Sequence, residues 1–305
     1  MIDQAEKLRK IVSNLNNQSS KNTSDSTQPE KITLSKRAKV IAVTSGKGGV
    51  GKTSVTVNLA IALSQKGYRV VIIDADLGLA NIDVVFGIVP KYTLLDSINS
   101  EKGILDILCE GPNNIKFISG GSGVQELINL DQNSLDAFMA NMSLLDHIAD
   151  YILVDTGAGL SHTVMNFVLA AEEVILVVTP EPTSITDAYA LVKTVSYTRR
   201  DSKINVLINR ADNENEARSV YNNFSMVSER FLGMKLESLG YLPFDQSFTK
   251  SVKMQRPYLL SYPKNTTSRL IGEIADLLVE KESLQSIAQT GIKGFINRFV
   301  GLFTN

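Results

Sequence analysis

The chain has 305 residues, of which 43% are hydrophobic and 21% are charged. A chain of this length and composition can bury one large core, or one core with appendages. Its 31 basic and 32 acidic residues give a net charge of −1, so the composition gives no support for nonspecific nucleic-acid binding, and no nucleic-acid partner is expected.

The sequence lacks the features of a secreted or membrane-spanning protein. No apolar stretch reaches the roughly 18 residues of a spanning helix, and the polar start Met1–Gln4 predicts no secretory signal peptide. The single cysteine, Cys109, is typical of a small core or boundary residue in a reducing compartment. We therefore expect a cytoplasmic protein.

The first 37 residues predict a short helix followed by a linker. Residues 1–15 predict an amphipathic helix, because apolar side chains recur at helical spacing at Ala5, Leu8, Ile11, Val12 and Leu15. Residues 16–37 are rich in Ser, Thr, Asn and Gln without apolar periodicity, which is typical of a flexible linker. Strand and helix patterns then alternate over residues 38–283. This alternation predicts an α/β fold with a doubly wound, mostly parallel sheet flanked by helices.

The most informative motif is a glycine-rich loop between a predicted strand and a predicted helix. The run Gly46–Thr53 fits the pattern G-x-x-x-x-G-K-[ST], follows the apolar run 39–44 and precedes a helical pattern at 54–65. Backbone N–H groups and a helix N-terminus in this arrangement bind phosphate. The alternative is a loop that is merely rich in glycine. The predicted nucleotide-binding residues of the loop are Gly46, Lys47, Gly48, Gly49, Val50, Gly51, Lys52, Thr53 and Ser54.

Residue types within the loop suit ATP and Mg²⁺. Glycines allow the backbone to approach phosphate oxygens closely. Lys52 is expected to neutralise the β- and γ-phosphates, and Thr53 to offer its hydroxyl to Mg²⁺. Lys47 is an additional lysine directly after the first glycine of the loop, and the alternative for it is a solvated surface position.

Polar residues follow three further apolar runs. These are Asp74 and Asp76 after 70–73, Asp155 after 151–154, and Asn209 and Arg210 after 204–208. The carboxyl ends of parallel strands meet at one edge of a sheet, where α/β proteins bind ligands. A turn or helix-capping role is the alternative for any one of them, and it stays open for Asn209. Further along the chain, the run Ser184–Asp187 fits a capping box and predicts the start of a helix.

These motifs together resemble those of the MinD/ParA family of deviant Walker A ATPases. Lys47 matches the family's signature lysine, the run Asp74–Asn81 its D-x-D-x-G-x-x-N segment, and Asp155–Gly159 its Walker B aspartate and glycine-jointed switch. The resemblance implies a slow ATPase that uses ATP and Mg²⁺, forms a homodimer with ATP, and is stimulated by dimerisation and lipid.

The resemblance also assigns roles to individual residues. Asp76 would orient or deprotonate the attacking water, and Asp74 and Asp155 would join Thr53 around Mg²⁺. Lys47 would reach across the dimer to the partner's phosphates, so the catalytic residues are expected to be Asp76, Lys47 and Lys52. Asn209, followed by Arg210, would read adenine.

The last segment, 286–305, predicts an amphipathic helix that binds membrane. Its apolar stripe consists of Ile292, Phe295, Ile296, Phe299, Val300 and Phe303, and no acidic residue follows Glu282. One such helix binds phospholipid weakly, whereas two on a dimer bind by avidity. We therefore expect peripheral attachment to the inner face of the cell membrane in the ATP-bound state. The alternative is a last helix that packs on the core.

The N-terminal run Asp3–Arg9 resembles the D-Q-A-x-x-L-R element of the FlhG (YlxH) group, MinD-like ATPases that control flagellar number and placement. In that group the element stimulates the GTPase of the FlhF protein, which implies partner-activating roles for Asp3, Gln4, Leu8 and Arg9. Components of the flagellar switch complex (C-ring) are further possible partners. The remaining alternatives are a division-site MinD, a ParA-type DNA segregation ATPase, and a nucleotide-gated scaffold with negligible turnover.

Overall fold

The computed structural model describes residues 37–76, 81–99, 101–120, 126, 130–283 and 290–303. The predicted N-terminal helix and nearly all of the predicted linker therefore lie outside the described residues, as do positions 77–80 of the D-x-D segment. Within the described part of the chain, no helix is long and apolar enough to cross a membrane.

Strands and helices alternate along the described chain as the sequence predicts. The strands are β1 (Lys39–Ser45), β2 (Val70–Ala75), β3 (Cys109–Glu110), β4 (Lys116–Ser119), β5 (Tyr151–Ala158), β6 (Glu173–Val178), β7 (Lys203–Ala211) and β8 (Glu237–Pro243). The helices are α1 (Lys52–Gln65), α2 (Ile82–Phe86), α3 (Leu94–Ile98), α4 (Gln132–Met142), α5 (Leu145–Ile148), α6 (His162–Ala170), α7 (Pro182–Thr198), α8 (Glu214–Leu232), α9 (Gln246–Lys253), α10 (Tyr258–Ser261), α11 (Thr266–Ser283) and α12 (Gly291–Gly301).

The strands form one sheet in the order β3-β4-β2-β5-β1-β6-β7-β8. All neighbouring pairs are parallel except β3 with β4, a short antiparallel pair at the edge that the sequence did not predict. The predicted doubly wound α/β fold is confirmed. Because β1 lies between β5 and β6, the loop that follows β1 opens at the centre of the sheet's carboxyl edge.

Helices cover both faces of the sheet, and each face has its own hydrophobic core. Successive residues of β1 alternate between the two cores: Val40 and Ala42 pack on one face, and Ile41 and Val43 on the other. A strand buried on both faces needs apolar residues at nearly every position, which is why these strands appear in the sequence as continuous apolar runs.

Helix α12 packs against one of these cores. Ile292, Phe295, Ile296 and Phe299 are at most 4% exposed, and the Phe299 ring lies 4.4 Å from the ring of Phe167 in α6. Val300 and Phe303 are partly buried beside them. The core-packed alternative therefore describes this structure, and the expected lipid-facing stripe is not free here. Membrane attachment stays a prediction that requires α12 to leave its groove.

Carboxylates bind the N-terminus of α12 in this groove. One Glu172 oxygen accepts hydrogen bonds from the Thr290 N–H and hydroxyl, both at 2.7 Å, and from the Gly291 N–H at 3.1 Å. The Ile292 N–H donates to Asp146 at 3.0 Å. Burial raises the pKa of Asp146, and N–H donors partly offset that rise. Anions at a helix N-terminus satisfy unpaired N–H groups and complement the helix dipole.

Candidate nucleotide-binding site

The glycine-rich loop joins β1 directly to the N-terminus of α1. Gly49 and Gly51 have φ values of 77° and 93°, in the left-handed region that favours glycine. A Cβ atom at Gly46 would lie 2.3 Å from the carbonyl carbon of Asp187 in α7, so no side chain fits there. The loop therefore has the backbone geometry of a phosphate cradle that opens onto a helix N-terminus.

Two carboxylates lie side by side beneath the loop. Asp74 in β2 and Asp155 in β5 are paired across neighbouring strands, and both are at most 1% exposed. One Asp155 oxygen accepts a hydrogen bond from the Thr56 hydroxyl at 3.0 Å and lies 3.5 Å from the Lys52 ammonium. The predicted Walker B aspartate and phosphate-loop lysine therefore belong to one buried cluster.

Burial shifts the pKa of both carboxyls upward. The pKa of Asp74 is raised to about 6, first by burial and then by the charge of Asp155, although N–H groups of Ile82, Asn81 and Asp76 lower it. Burial likewise raises the pKa of Asp155, against the opposing effect of Lys52. The site thus holds more negative charge than its own cations compensate, which favours a bound cation.

The residues present fit Mg²⁺ bound together with a nucleotide. The second oxygen of Asp155, Oδ2, is buried without a hydrogen-bond partner in the structure, and the Thr53 side chain is close enough to affect the pKa of Asp155. No group of three or more His, Cys, Asp or Glu side chains among the described residues could hold a metal by itself. Mg²⁺ usually combines few protein oxygens with water and phosphate oxygens, so phosphates would complete its shell.

Asp76 lies at the cleft rather than in the buried pair. Its N–H donates to Asp74 at 3.2 Å, and the Asn81 amide lies 3.5 Å from its carboxylate. The side chain shares the cleft with the phosphate loop; the lining includes Gly48, Gly49, Lys52, Thr53, Ser54, Asp76, Asn81 and Arg210. This position is compatible with contact to a water near the terminal phosphate.

A neighbouring pocket extends from the loop toward β8 and α9. It is lined by Gly51, Ser54, Val55, Asn209, Arg210, Pro243, Phe244, Asp245, Phe248 and Thr249. The Asn209 amide donates to the Val50 carbonyl at 2.7 Å, so it supports the loop backbone in this structure. Adenine recognition by Asn209 stays a prediction. No sequence motif predicted Pro243, Phe244 and Phe248 in this pocket, although Pro243 ends a strand at the same edge.

The Lys47 side chain is partly exposed, and it contacts residues of its own subunit rather than the buried carboxylates. Its ammonium lies 2.7 Å from Glu181 and donates to the Thr183 hydroxyl at 2.9 Å, both in the same chain. Helix α7 begins at Pro182 with Glu181 as its N-cap, so the predicted capping box, which has Ser184 as N-cap, places the helix start three residues too late. The Ser184 hydroxyl instead accepts a hydrogen bond from the Thr179 N–H. The contact of Glu181 with Lys47 was not predicted from the sequence.

Comparison with known proteins agrees with this site. A family model described as ParA, NUBPL iron-transfer P-loop NTPase, matches residues 36–279. The antiactivator FleN of Pseudomonas aeruginosa is 40% identical over 261 residues, which cover 86% of this chain and 93% of FleN. The chain belongs to the MinD/ParA family of P-loop NTPases. Proteins of this family are ATPases, and so is this chain.

Two further similarities extend the comparison. The flagellum site-determining protein YlxH of Helicobacter pylori is 35% identical over 266 residues, covering 86% of this chain and 90% of YlxH. The MinC:MinD cell division complex of Aquifex aeolicus contains a chain that superposes with a TM-score of 0.65 at 26% identity, covering 82% of this chain and 98% of that one. The chain therefore resembles MinD-like ATPases over most of its length.

Proposed function

We propose that this MinD-like ATPase controls the number or placement of flagella through an ATP-dependent dimer that associates with membrane. The observation that carries the proposal is the phosphate loop with its additional Lys47, in a chain similar over 86% of its length to FleN and to the site-determining YlxH. A site of this kind provides a timed switch, since ATP binding and hydrolysis would alternate between two assembly states.

The described residues support a division of labour during hydrolysis. Loop N–H groups and the N-terminus of α1 would bind the phosphates, and Lys52 would stabilise their charge. Thr53, Asp74 and Asp155 would hold Mg²⁺, which neutralises charge on the β- and γ-phosphates. Asp76 would orient the attacking water or accept its proton.

Dimerisation would bring Lys47 to the phosphates of the partner subunit. A lysine provided in trans stabilises transition-state charge in the way an arginine finger does, and it makes hydrolysis depend on assembly. Because Lys47 contacts Glu181 and Thr183 in this structure, it would have to exchange those partners first.

Membrane association would require α12 to exchange its groove for lipid. Phe295 and Phe299 are buried in the groove and would be buried again at a bilayer surface, so the hydrophobic gain largely cancels between the two states. A modest change in groove binding is then enough to select one state. Two released helices on one dimer would add avidity.

The N-terminal segment would provide the link to a partner GTPase. Asp3, Gln4, Leu8 and Arg9 lie outside the described residues, so this part of the proposal is supported by the sequence motif alone. The Gln4 amide can donate and accept, which suits the positioning of an attacking water in an FlhF-type GTPase. Components of the flagellar switch complex are candidate further partners.

The cellular role is tested by counting flagella in cells that lack the gene and carry a copy encoding the wild-type chain or Lys52→Ala. We expect wild-type protein to restore normal flagellar number and Lys52→Ala to fail, because its phosphate site lacks the central cation. A surface variant such as Asp136→Ala should restore the number fully. Normal flagella with misplaced division sites would instead identify a division-site MinD.

A further inference from the structure

The first lysine of the phosphate loop is bound within its own subunit by two residues at the start of α7. The Lys47 ammonium contacts the Glu181 carboxylate at 2.7 Å and the Thr183 hydroxyl at 2.9 Å. An ammonium has three donors, so two of them are used here. The hydrogen bond from Lys47, followed by its charge, lowers the pKa of Glu181, which keeps that carboxylate ionised at neutral pH.

Both partners of Lys47 lie at the N-terminus of α7. Glu181 immediately precedes α7, and Pro182 at the first helical position restricts the backbone there. The start of α7 also contacts the phosphate loop directly, because any Cβ at Gly46 would lie within 2.5 Å of the Asp187 carbonyl group and the Ala188 nitrogen. The Ser45 hydroxyl additionally donates to the Lys47 carbonyl at 2.9 Å. The loop and the two acceptors therefore keep a constant spacing.

We propose that Glu181 and Thr183 are positioning residues that retain Lys47 in its own subunit and thereby oppose ATP-dependent dimerisation. The inference rests on the proposed function, in which Lys47 acts on the partner's phosphates. The phosphates of a second copy compete with Glu181 for the Lys47 ammonium. Formation of a dimer therefore breaks the Lys47–Glu181 contact in both subunits.

The contact is suited to exchange rather than to permanent structure. The side chains of Lys47 and Glu181 are 38% and 55% exposed, so water and salt reach the pair. Exposed ion pairs contribute little, and the restraint is therefore expected to weaken dimerisation by about two- to fivefold. A restraint of this size adjusts the protein concentration at which dimers form without preventing them.

The test compares dimer dissociation constants of the full-length chain with a non-hydrolysable ATP analogue, measured by sedimentation velocity. We expect Glu181→Gln to lower the constant about two- to fivefold, and Thr183→Val to lower it less. The Glu181→Gln difference should shrink in 0.5 M salt, which screens exposed charge pairs. The matched control is Glu214→Gln, which removes another exposed ion pair (with Arg218) away from the cleft and should leave the constant unchanged.

The double variant Lys47→Ala/Glu181→Gln separates this role from a structural one. If Glu181 acts through Lys47, Glu181→Gln has no effect in the Lys47→Ala background, whereas damage to α7 would persist there. An unchanged or higher constant for Glu181→Gln alone overturns the inference; a higher one would mean that Glu181 receives the partner's lysine. If Glu181→Gln does not fold, Thr183→Val decides by the same criteria. Unimpaired dimerisation of Lys47→Ala would instead disprove the proposed trans role itself.

Discussion

The nucleotide cleft and the groove that holds α12 both contain carboxylates, which are fully buried at Asp74 and Asp155 in the cleft and half-buried in the groove, and the two regions compensate their charge differently. In the cleft, Asp74 and Asp155 face each other, and one oxygen of Asp155 has no hydrogen-bond partner. In the groove, a single Glu172 oxygen accepts three hydrogen bonds from Thr290 and Gly291. With α12 in place, the Glu172 carboxylate in the groove is satisfied by these donors, whereas one oxygen of Asp155 in the cleft lacks a partner that a bound cation would supply.

The two regions also share one structural element. Helix α6 begins three residues after the switch segment Asp155–Gly159, and its whole length borders α12. The His162 ring at its start lies 5.4 Å from the Phe303 ring, and its last carbonyl, of Ala170, accepts a hydrogen bond from Arg298 at 2.7 Å. Helix α6 therefore connects the end of the segment Asp155–Gly159 with the groove that holds α12.

The largest expected effect is on chemistry in the cleft. The substitution Asp76→Ala removes a carboxylate that lines the cleft. It should lower the turnover number for ATP by about 10²–10⁴, the usual contribution of a general base. Nucleotide binding should persist, because the loop and Lys52 are untouched, and the ATP-bound dimer should accumulate. Phosphate release and fluorescent-nucleotide titration measure the two quantities, with Asp136→Ala as a surface control. Near-normal turnover would remove Asp76 from catalysis.

Much of the cleft was predictable because its residues are close in sequence. Gly46–Thr53 is contiguous, so its spacing alone specifies a loop and a helix N-terminus, and Asp74 and Asp155 directly follow recognisable apolar runs. The contact between Lys47 and Glu181 joins positions 134 apart, and it depends on where α7 starts. Local pattern favoured a capping box at Ser184, but Pro182 begins the helix earlier and leaves the Ser184 hydroxyl to bind the preceding strand end.

The position of α12 was not predictable for a different reason. A stripe with Phe295 and Phe299 on one side suits a protein groove and a lipid surface equally, since both are apolar. The residues that distinguish the two are Glu172 and Asp146, which precede α12 by more than a hundred positions. Only the folded sheet brings them to the N-terminus of that helix.

A second prediction tests whether the negative charge of the cleft carboxylates is incompletely compensated in the free protein. Because the pKa of Asp74 is raised to about 6 in the folded state, its ionisation opposes folding, and this cost appears as pH rises from about 4 through 6. Asp74→Asn should therefore raise the free energy of unfolding at pH 7.5 by about 1–3 kcal/mol without Mg²⁺ or nucleotide. The gain should vanish near pH 4, where wild-type Asp74 is protonated. Urea unfolding at both pH values measures it.

The same variant should lose Mg²⁺-dependent hydrolysis, since stability would be gained at the expense of the metal site. Asp136→Asn, on the exposed side of α4, is the matched control and should be neutral at both pH values. If Asp74→Asn is destabilising at pH 7.5, the buried carboxylate is compensated in the free protein, and the contrast between cleft and groove is wrong.

The smallest predicted effect concerns the groove. Removing the carboxylate charge there should weaken the binding of α12, whereas removing the Asp74 charge should stabilise the fold. Glu172→Gln keeps an amide oxygen for Thr290 and Gly291 but removes the charge at the N-terminus of α12. The lost charge–dipole interaction amounts to about 1 kcal/mol, so α12 should leave its groove about fivefold more often. Sedimentation with anionic phospholipid vesicles and ATP should then show about fivefold tighter binding than wild type.

Adding Phe295→Glu and Phe299→Glu to Glu172→Gln should abolish vesicle binding, and the control Glu214→Gln should leave it unchanged. Equal vesicle binding by Glu172→Gln and wild type would mean that groove release does not limit membrane attachment, and that the charge at Glu172 serves only the fold.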